Sequence, residues 1–120
     1  MAKLYAKTHE WVEVLEDNTA LIGLSKFASD ELGDIVFINL PEVDDDLKAH
    51  ESFGDVESVK AVSDIESPVN GVVLEINEDL LDAPELVNQD PENTWLLKAG
   101  NVELAPELLS LEDYLEFVKE

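Results

Sequence analysis

Residues 57–64, Glu57-Ser58-Val59-Lys60-Ala61-Val62-Ser63-Asp64, form a near mirror about the Lys60–Ala61 bond. An antiparallel hairpin turns such a mirror into pairs: Val59 would face Val62, Ser58 would face Ser63 and Glu57 would face Asp64, with Lys60 at the tip. The turn lacks the Asn-Gly or Asp-Gly of a tight primed hairpin, so a type I turn is expected, which tolerates Lys and Ala at its centre. Carboxylates facing each other at 57 and 64 would cost on the order of a few tenths of a kcal/mol at an exposed site. A local rule broken in this way tends to mark function. An exposed ammonium flanked by acids is a handle by which an enzyme could choose one lysine among seven for acylation. The residues alone leave a second reading open, in which Lys60 merely softens an acidic turn.

Around this octet the pattern is mostly β. Short runs at 11–15 and 19–24, separated by Glu16-Asp17-Asn18, predict an opening hairpin. Ser25 as a cap and Gly33 as a left-handed stop frame a helix over 26–32, with Ala28 and Leu32 on one face. Ile35 through Leu40 is a strand signal stopped by Pro41, followed by an acidic loop from Glu42 to Asp46. Further strands are expected at 52–59, 62–67, 71–77 and 94–99. Pro68-Val69-Asn70-Gly71 reads as a tight turn, and Pro84 and Pro91 bracket an irregular segment with room for one helical turn. Near the C-terminus Ser110 and Asp113 resemble a capping box with Asp in place of Glu. Leu111, Tyr114, Leu115 and Val118 form an i, i+3, i+4, i+7 stripe, predicting a helix over about 111–119 packed on the sheet. The sum is one mostly antiparallel β domain over 1–120 with two or three short helices.

Charge narrows the partners. Seven lysines against 29 Asp and Glu give a formal net charge of -22, a surface that repels phosphate backbones and anionic head groups, so neither nucleic acid nor membrane is expected as a partner. The 45% of hydrophobic residues supplies the core that a disordered acidic tail lacks. With no cysteine there is no disulfide, zinc thiolate site or redox pair, and any sulfur chemistry must come from something attached. The first residues carry neither an apolar signal core nor an Arg-rich transit pattern. No window approaches the ~20 apolar residues of a membrane span. The expected location is cytoplasmic, or the mitochondrial matrix only if a transit peptide has been removed.

Other signals are weak. His9 and His50 lack the spacing of a two-histidine metal helix, and no metal site is expected; His9 reads as structural. Asp44-Asp45-Asp46 lacks the alternating ligands and central Gly of a calcium loop. Ser25, Ser58 and Ser63 show no nucleophile elbow, and Trp11, Phe37 and Trp95 read as packing residues.

Four stretches, taken together, resemble the glycine cleavage system H proteins. They are His9-Glu10-Trp11-Val12; Glu31-Leu32-Gly33-Asp34-Ile35-Val36-Phe37 with Leu40-Pro41-Glu42-Val43; the octet 57–64; and Ser67-Pro68-Val69-Asn70-Gly71. They keep the family's order over roughly residues 5–100. Ala49-His50 stands where many members have Gly, and Glu92-Asn93-Thr94-Trp95 lacks the Gly common before the later Trp. The resemblance implies a barrel-sandwich hybrid fold, of the lipoyl- and biotinyl-carrier kind with antiparallel sheets. It also implies lipoic acid joined by an amide to Lys60, with Glu57 and Asp64 read during lipoylation.

The same resemblance implies a non-catalytic shuttle. Glycine decarboxylase (P-protein) would load an aminomethyl group, aminomethyltransferase (T-protein) would pass it to tetrahydrofolate, and dihydrolipoyl dehydrogenase (L-protein) would reoxidise the dithiol. A lipoate ligase or lipoyl transferase would install the arm, whose reach is on the order of 15 Å when extended. The tether would be Lys60 as an acceptor and not as a base, because an exposed amine has too high a pKa for base work at neutral pH. A protonated amine on the loaded arm needs a carboxylate partner, and Glu10 and Asp64, with Glu31 third, are the candidates for that dock. A monomer is expected. Rival readings are an H-like relay passing lipoyl groups onward, and a lipoyl domain of a 2-oxoacid dehydrogenase, which typically has Asp before the lysine where this chain has Val59. A biotin carrier usually has Met on both sides of the lysine.

Overall fold

The structure is a computed structural model that describes residues 3–119. Its strands are β1 (Lys3–Tyr5), β2 (Glu10–Val14), β3 (Ala20–Leu24), β4 (Ile35–Asn39), β5 (Asp46–Leu47), β6 (Ser52–Ser58), β7 (Val62–Glu66), β8 (Val69–Ile76) and β9 (Trp95–Leu104). Its helices are α1 (Lys26–Leu32), α2 (Asp79–Asp82), α3 (Leu86–Gln89) and α4 (Leu111–Val118). Six strands form one sheet in the order β1-β2-β3-β9-β8-β5, and three form a second in the order β4-β6-β7. Every pairing is antiparallel. The mostly β architecture with a C-terminal helix is as expected, with four short helices where two or three were foreseen.

Strand β9 explains why the two sheets form one body. Leu96 and Leu97 are adjacent and both fully buried, so this strand is covered on both faces. Leu97 packs with Val12, Ile22, Val69 and Val73, whereas Leu96 packs with Leu24 of β3 and with Ile35, Ile38, Val56 and Ile65 of the smaller sheet. A third, aromatic cluster of Tyr5, Trp11 and Tyr114 seats α4, with the Tyr5 and Tyr114 rings stacked at 4.7 Å.

The opening hairpin forms because Asp17 and Asn18 accept consecutive positive φ values of 59° and 57°, which side chains of their kind tolerate best after glycine. Helix α1 begins as read, with the Ser25 hydroxyl accepting from Ala28 N at 3.1 Å. Its stop differs in detail: Gly33 has φ 74° but ψ -152°, an extended conformation open essentially to glycine alone and not the left-handed helical one.

Three further expectations are corrected. Val69, Asn70 and Gly71 are not a tight turn but the start of β8, because the buried Ser67 hydroxyl bonds both Val69 N and Val69 O and aims the chain into the sheet. Gly71 serves close approach, since a Cβ there would lie 2.7 Å from the Gly100 carbonyl oxygen. The segment between Pro84 and Pro91 does hold one helical turn, α3, while α2 ahead of Pro84 was not foreseen; each is pinned by one buried side chain, Leu80 in α2 and Val87 in α3. On α4 the buried face is Tyr114 with Phe117 and Val118, while Leu111 and Leu115 of the expected stripe are about half exposed. Phe37 is likewise half exposed, not a packing residue, because alternation along β4 turns it away from the buried Ile38. Strands β1 and β5 had no counterpart in the sequence reading, and β9 runs five residues beyond the expected 99.

His50, standing where a glycine is common, takes φ 72° and still donates its amide to Ser67 O at 2.8 Å, so the glycine-type loop shape is retained with a side chain in place.

The smaller sheet depends on Gly54, where an added Cβ would stand 2.1 Å from the Asn39 carbonyl oxygen across the β4–β6 pairing. Gly54→Ala is therefore expected to cost about 1–3 kcal/mol in urea unfolding, as overpacking against backbone does. An unchanged unfolding midpoint would show that this approach is not tight.

Candidate functional site

Lys60 is exposed at the tip of the β6–β7 hairpin, as the octet predicts, but the ladder is set differently. The observed partners are Glu57↔Val62, Val56↔Ser63 and Asp55↔Asp64, centred between Val59 and Lys60, one residue earlier than the mirror axis. Ser58 is the cause. Its amide donates to Ala61 O at 2.8 Å, and its hydroxyl accepts from both Lys60 N and Ala61 N at 3.1 Å. A side-chain acceptor thus closes the turn in place of a backbone carbonyl, so local turn chemistry does choose this loop. Neither Val59 nor Lys60 has a positive φ, which agrees with an unprimed turn.

The slip redistributes the carboxylates. Glu57 does not face Asp64; its partners are Val62 on one side and Phe37 on the other. Asp64 faces Asp55 instead, and Asp55 accepts from the Asn39 side chain at 2.6 Å. An acid pair therefore exists across the ladder, shared by 55 and 64 and not by 57 and 64.

The tip is tied to the rest of the molecule at one point. Val59 N donates to Asp34 O at 3.1 Å, extending the β4 ladder past its last paired residue. Beside it the Lys60 stem lies over Gly33, whose missing side chain leaves the space: a Cβ there would be 3.3 Å from Lys60 Cε and 3.7 Å from Nζ. Val59 and Val62 flank the lysine at 68% and 66% exposure, so the tip is apolar around a single amine.

At the foot of the hairpin a cleft of about 130 Å³ opens between α1, β7 and the turn before β2. Its walls include the apolar Leu24, Ala28, Leu32, Val56 and Ile65, and it is lined by Glu10, Glu31 and Asp64 together. The three acids singled out in the sequence are thus brought to one cleft, whereas Glu57 stays on the hairpin outside it. Glu31 and Asp64 are exposed, but Glu10 is only 2% exposed. Its two oxygens are held separately, one accepting from the Thr8 hydroxyl and the other from Glu66 N at 3.3 Å. Burial pushes the Glu10 carboxyl up to about 7, against the opposing pull of those two bonds.

Thr8 and Ser63 also line the cleft and were not foreseen. Thr8 lies in a turn where His9 has φ 80°, so the Thr8–Glu10 contact follows no strand periodicity visible in the sequence. Ser63 could have been read from alternation, since it shares a strand face with the buried Ile65. His9 is structural as expected: Nδ1 meets the Tyr114 hydroxyl at 2.7 Å and the ring packs against Phe27 at 4.6 Å. Burial lowers its pKa, with the charge of nearby Glu31 opposing. His50 does not line this cleft and pairs with Glu107.

Known proteins are similar to this chain along nearly its whole length. Residues 3–120 match the family described as Glycine cleavage H-protein. A glycine cleavage system H protein of Lachnoclostridium phytofermentans is 53% identical over 116 residues, covering 97% of this chain and 91% of that protein. A probable glycine cleavage system H protein of Pyrococcus abyssi is 48% identical over 118 residues, covering 96% and 88%. The crystal structure of a glycine cleavage system H protein from Mycobacterium marinum superposes with a TM-score of 0.92 at 33% identity, covering 99% of this chain and 98% of that one. A lysine-tipped hairpin above an acidic cleft, in a sequence and fold matched over this length, places the chain in the glycine cleavage H-protein family.

Proposed function

We propose that this chain is a non-catalytic lipoyl carrier of the glycine cleavage system, with the lipoyl group joined by an amide to Lys60. The observation that supports it most directly is the exposed lysine at a tip clasped to Asp34, standing above a cleft that combines apolar walls with three carboxylates. The residues fit such a group. The amine is exposed, an arm reaching about 15 Å can fold back toward a cleft lined by residues of the same hairpin, and the apolar walls suit carbon and sulfur. When attached, the group supplies a disulfide that can be reductively loaded and later reoxidised. The chain has no cysteine to exchange with it.

The protein's own part is to hold and shield the loaded end. Glu10, Asp64 and Glu31 dock the amine, and Leu24, Leu32 and Ile65 exclude water from it. A Glu10 carboxyl shifted to about 7 is poised for this. It is partly protonated when the cleft is empty, which lessens the cost of a buried charge, and it ionises when an ammonium arrives beside it. Glu57 and Asp64 are recognition points for the attaching enzyme, a lipoate ligase or lipoyl transferase. The partners in turnover are glycine decarboxylase, aminomethyltransferase and dihydrolipoyl dehydrogenase, and the chain works as a single domain and a monomer in the cytoplasm.

Three outcomes follow. Intact mass of the protein from its native host is expected to show one lipoyl adduct, absent in Lys60→Ala; aminomethyl transfer persisting in that variant would end the proposal. Glu10→Gln combined with Asp64→Asn is expected to shorten the lifetime of the loaded intermediate about tenfold or more, the loss of a charge-assisted pair worth about 1.5–3 kcal/mol. An unchanged lifetime removes the dock.

The third concerns pH. A carboxyl whose folded value is raised from 4.5 to about 7 stays protonated in the fold after the unfolded chain has ionised, so its contribution to stability falls as pH rises between those values and is level outside them. Comparing urea unfolding of the parent with Glu10→Gln, the parent should lose about 3 kcal/mol relative to the variant between pH 4.5 and 8. A difference independent of pH would mean that Glu10 is not held protonated.

A further inference from the structure

Asn88, half-buried on the one-turn helix α3, spends all of its side-chain bonding on a stretch more than fifty residues away. Its Oδ1 accepts from Ile35 N at 2.8 Å, and its Nδ2 donates to Gly33 O at 2.8 Å and to Ser29 Oγ at 3.1 Å. The first two bonds bracket a three-residue turn. Between them the Asp34 carbonyl is left facing the hairpin, where it accepts from Val59 N, and Gly33 is left under the Lys60 stem. Gly33 needs such a brace. At φ 74° and ψ -152° it occupies a region open to glycine because it lacks a Cβ, and glycine has more alternatives to lose than any other residue, so the conformation is not self-supporting. Asn88 does not line the docking cleft, and none of the chemistry assigned to that cleft uses it.

We propose that Asn88 is a positioning residue for the tether: by clamping the Gly33–Ile35 turn it aims the Asp34 carbonyl at Val59 and so fixes the angle at which Lys60 is offered for acylation. This rests on the carrier reading for its purpose, though not for its geometry. The effect reaches the lysine through two hydrogen bonds in series, Asn88 to the turn and the turn to Val59. The segment containing α2 and α3 is thereby given a role in presenting the tip. With the clamp released, the hairpin keeps its ladder and its Ser58 closure but loses its only bond from the tip to another element among the described residues.

The test uses the full unmodified chain and two measurements. Amide exchange of Val59 is compared with core amides of β8 and β9, whose protection follows global opening; Asn88→Ala should speed Val59 about tenfold relative to them. Attachment kinetics, with a lipoate-attaching enzyme, free lipoate and ATP, should show kcat falling about tenfold with KM little changed, because the docking surface is intact and the nucleophile is misplaced. Ser29→Ala removes only the third Asn88 bond and should leave both readouts at parent values. Should Asn88→Ala fail to fold, Asn88→Asp decides in its place: it keeps the acceptor for Ile35 N, loses the donor to Gly33 O, and should give the same changes in smaller measure. Val59 exchanging in step with the core amides in the variant, or attachment at the parent rate despite a freed Val59 amide, overturns the proposal. If the parent itself takes no lipoate, the carrier reading fails, while the Val59 exchange still decides whether Asn88 is a clamp.

Discussion

One backbone hydrogen bond, from Val59 N to Asp34 O, carries the β4–β6 ladder out to the hairpin tip and so links the two parts that must work together. On one side is the hairpin that carries Lys60, and on the other the end of α1 that forms a wall of the cleft. Pairing with β4 holds the β6 strand as far as Ser58, and the tip residues lie just beyond it. Anchored at its tip, the hairpin holds the lysine at a defined distance from Glu31 and Leu32, which directly precede Gly33 in the chain. The bond would add little to global stability, about 1 kcal/mol as such bonds do, so its worth lies in orientation.

The cleft shows how a strongly acidic chain can still contain a distinctive acid. With 29 carboxyl side chains, charge alone marks no position. What separates Glu10 is that it is buried, with its oxygens held by Thr8 and by the Glu66 amide. Burial disfavours the charged form and the two donors favour it; burial prevails and the group is left near neutrality. Asp64 and Glu31 at the rim are exposed to water, so the cleft grades from solvated acids outside to one buried carboxyl inside.

The sequence made most strands, the helix caps and the tip lysine legible because these depend on local chemistry: Ser25 and Ser110 cap where they stand, and the apolar run from Ile35 stopped by Pro41 marks β4. It misled where a side chain replaced a backbone partner. The mirror in 57–64 suggested symmetric pairing, yet the Ser58 hydroxyl gathers Lys60 N and Ala61 N and shifts the ladder by one residue. Ser67 likewise turned an expected turn into a strand start. The three acids that line the cleft were grouped through family resemblance and charge complementarity, since nothing local says that residues 10, 31 and 64 meet. The clamp at Asn88 was invisible because its partners are distant in sequence and an Asn beside Gln89 reads as loop chemistry.

The hydroxyl of Tyr114 extends the same logic beyond the cleft. It bonds His9 Nδ1 at 2.7 Å and Ser25 Oγ at 2.8 Å, and that Ser25 oxygen also accepts from Ala28 N to cap α1. Residues His9 and Ala28 line the cleft, so one buried hydroxyl on α4 supports two of its three walls. Tyr5 stacks on Tyr114 and bonds Glu92, whose other oxygen accepts from Lys26 N at the start of α1. Helix α1 is thus fixed at its first turn by the aromatic cluster and at its end by Asn88. A helix of only seven residues can serve as a rigid wall because both ends are held by side chains from other parts of the chain, not because its own sequence makes it stable.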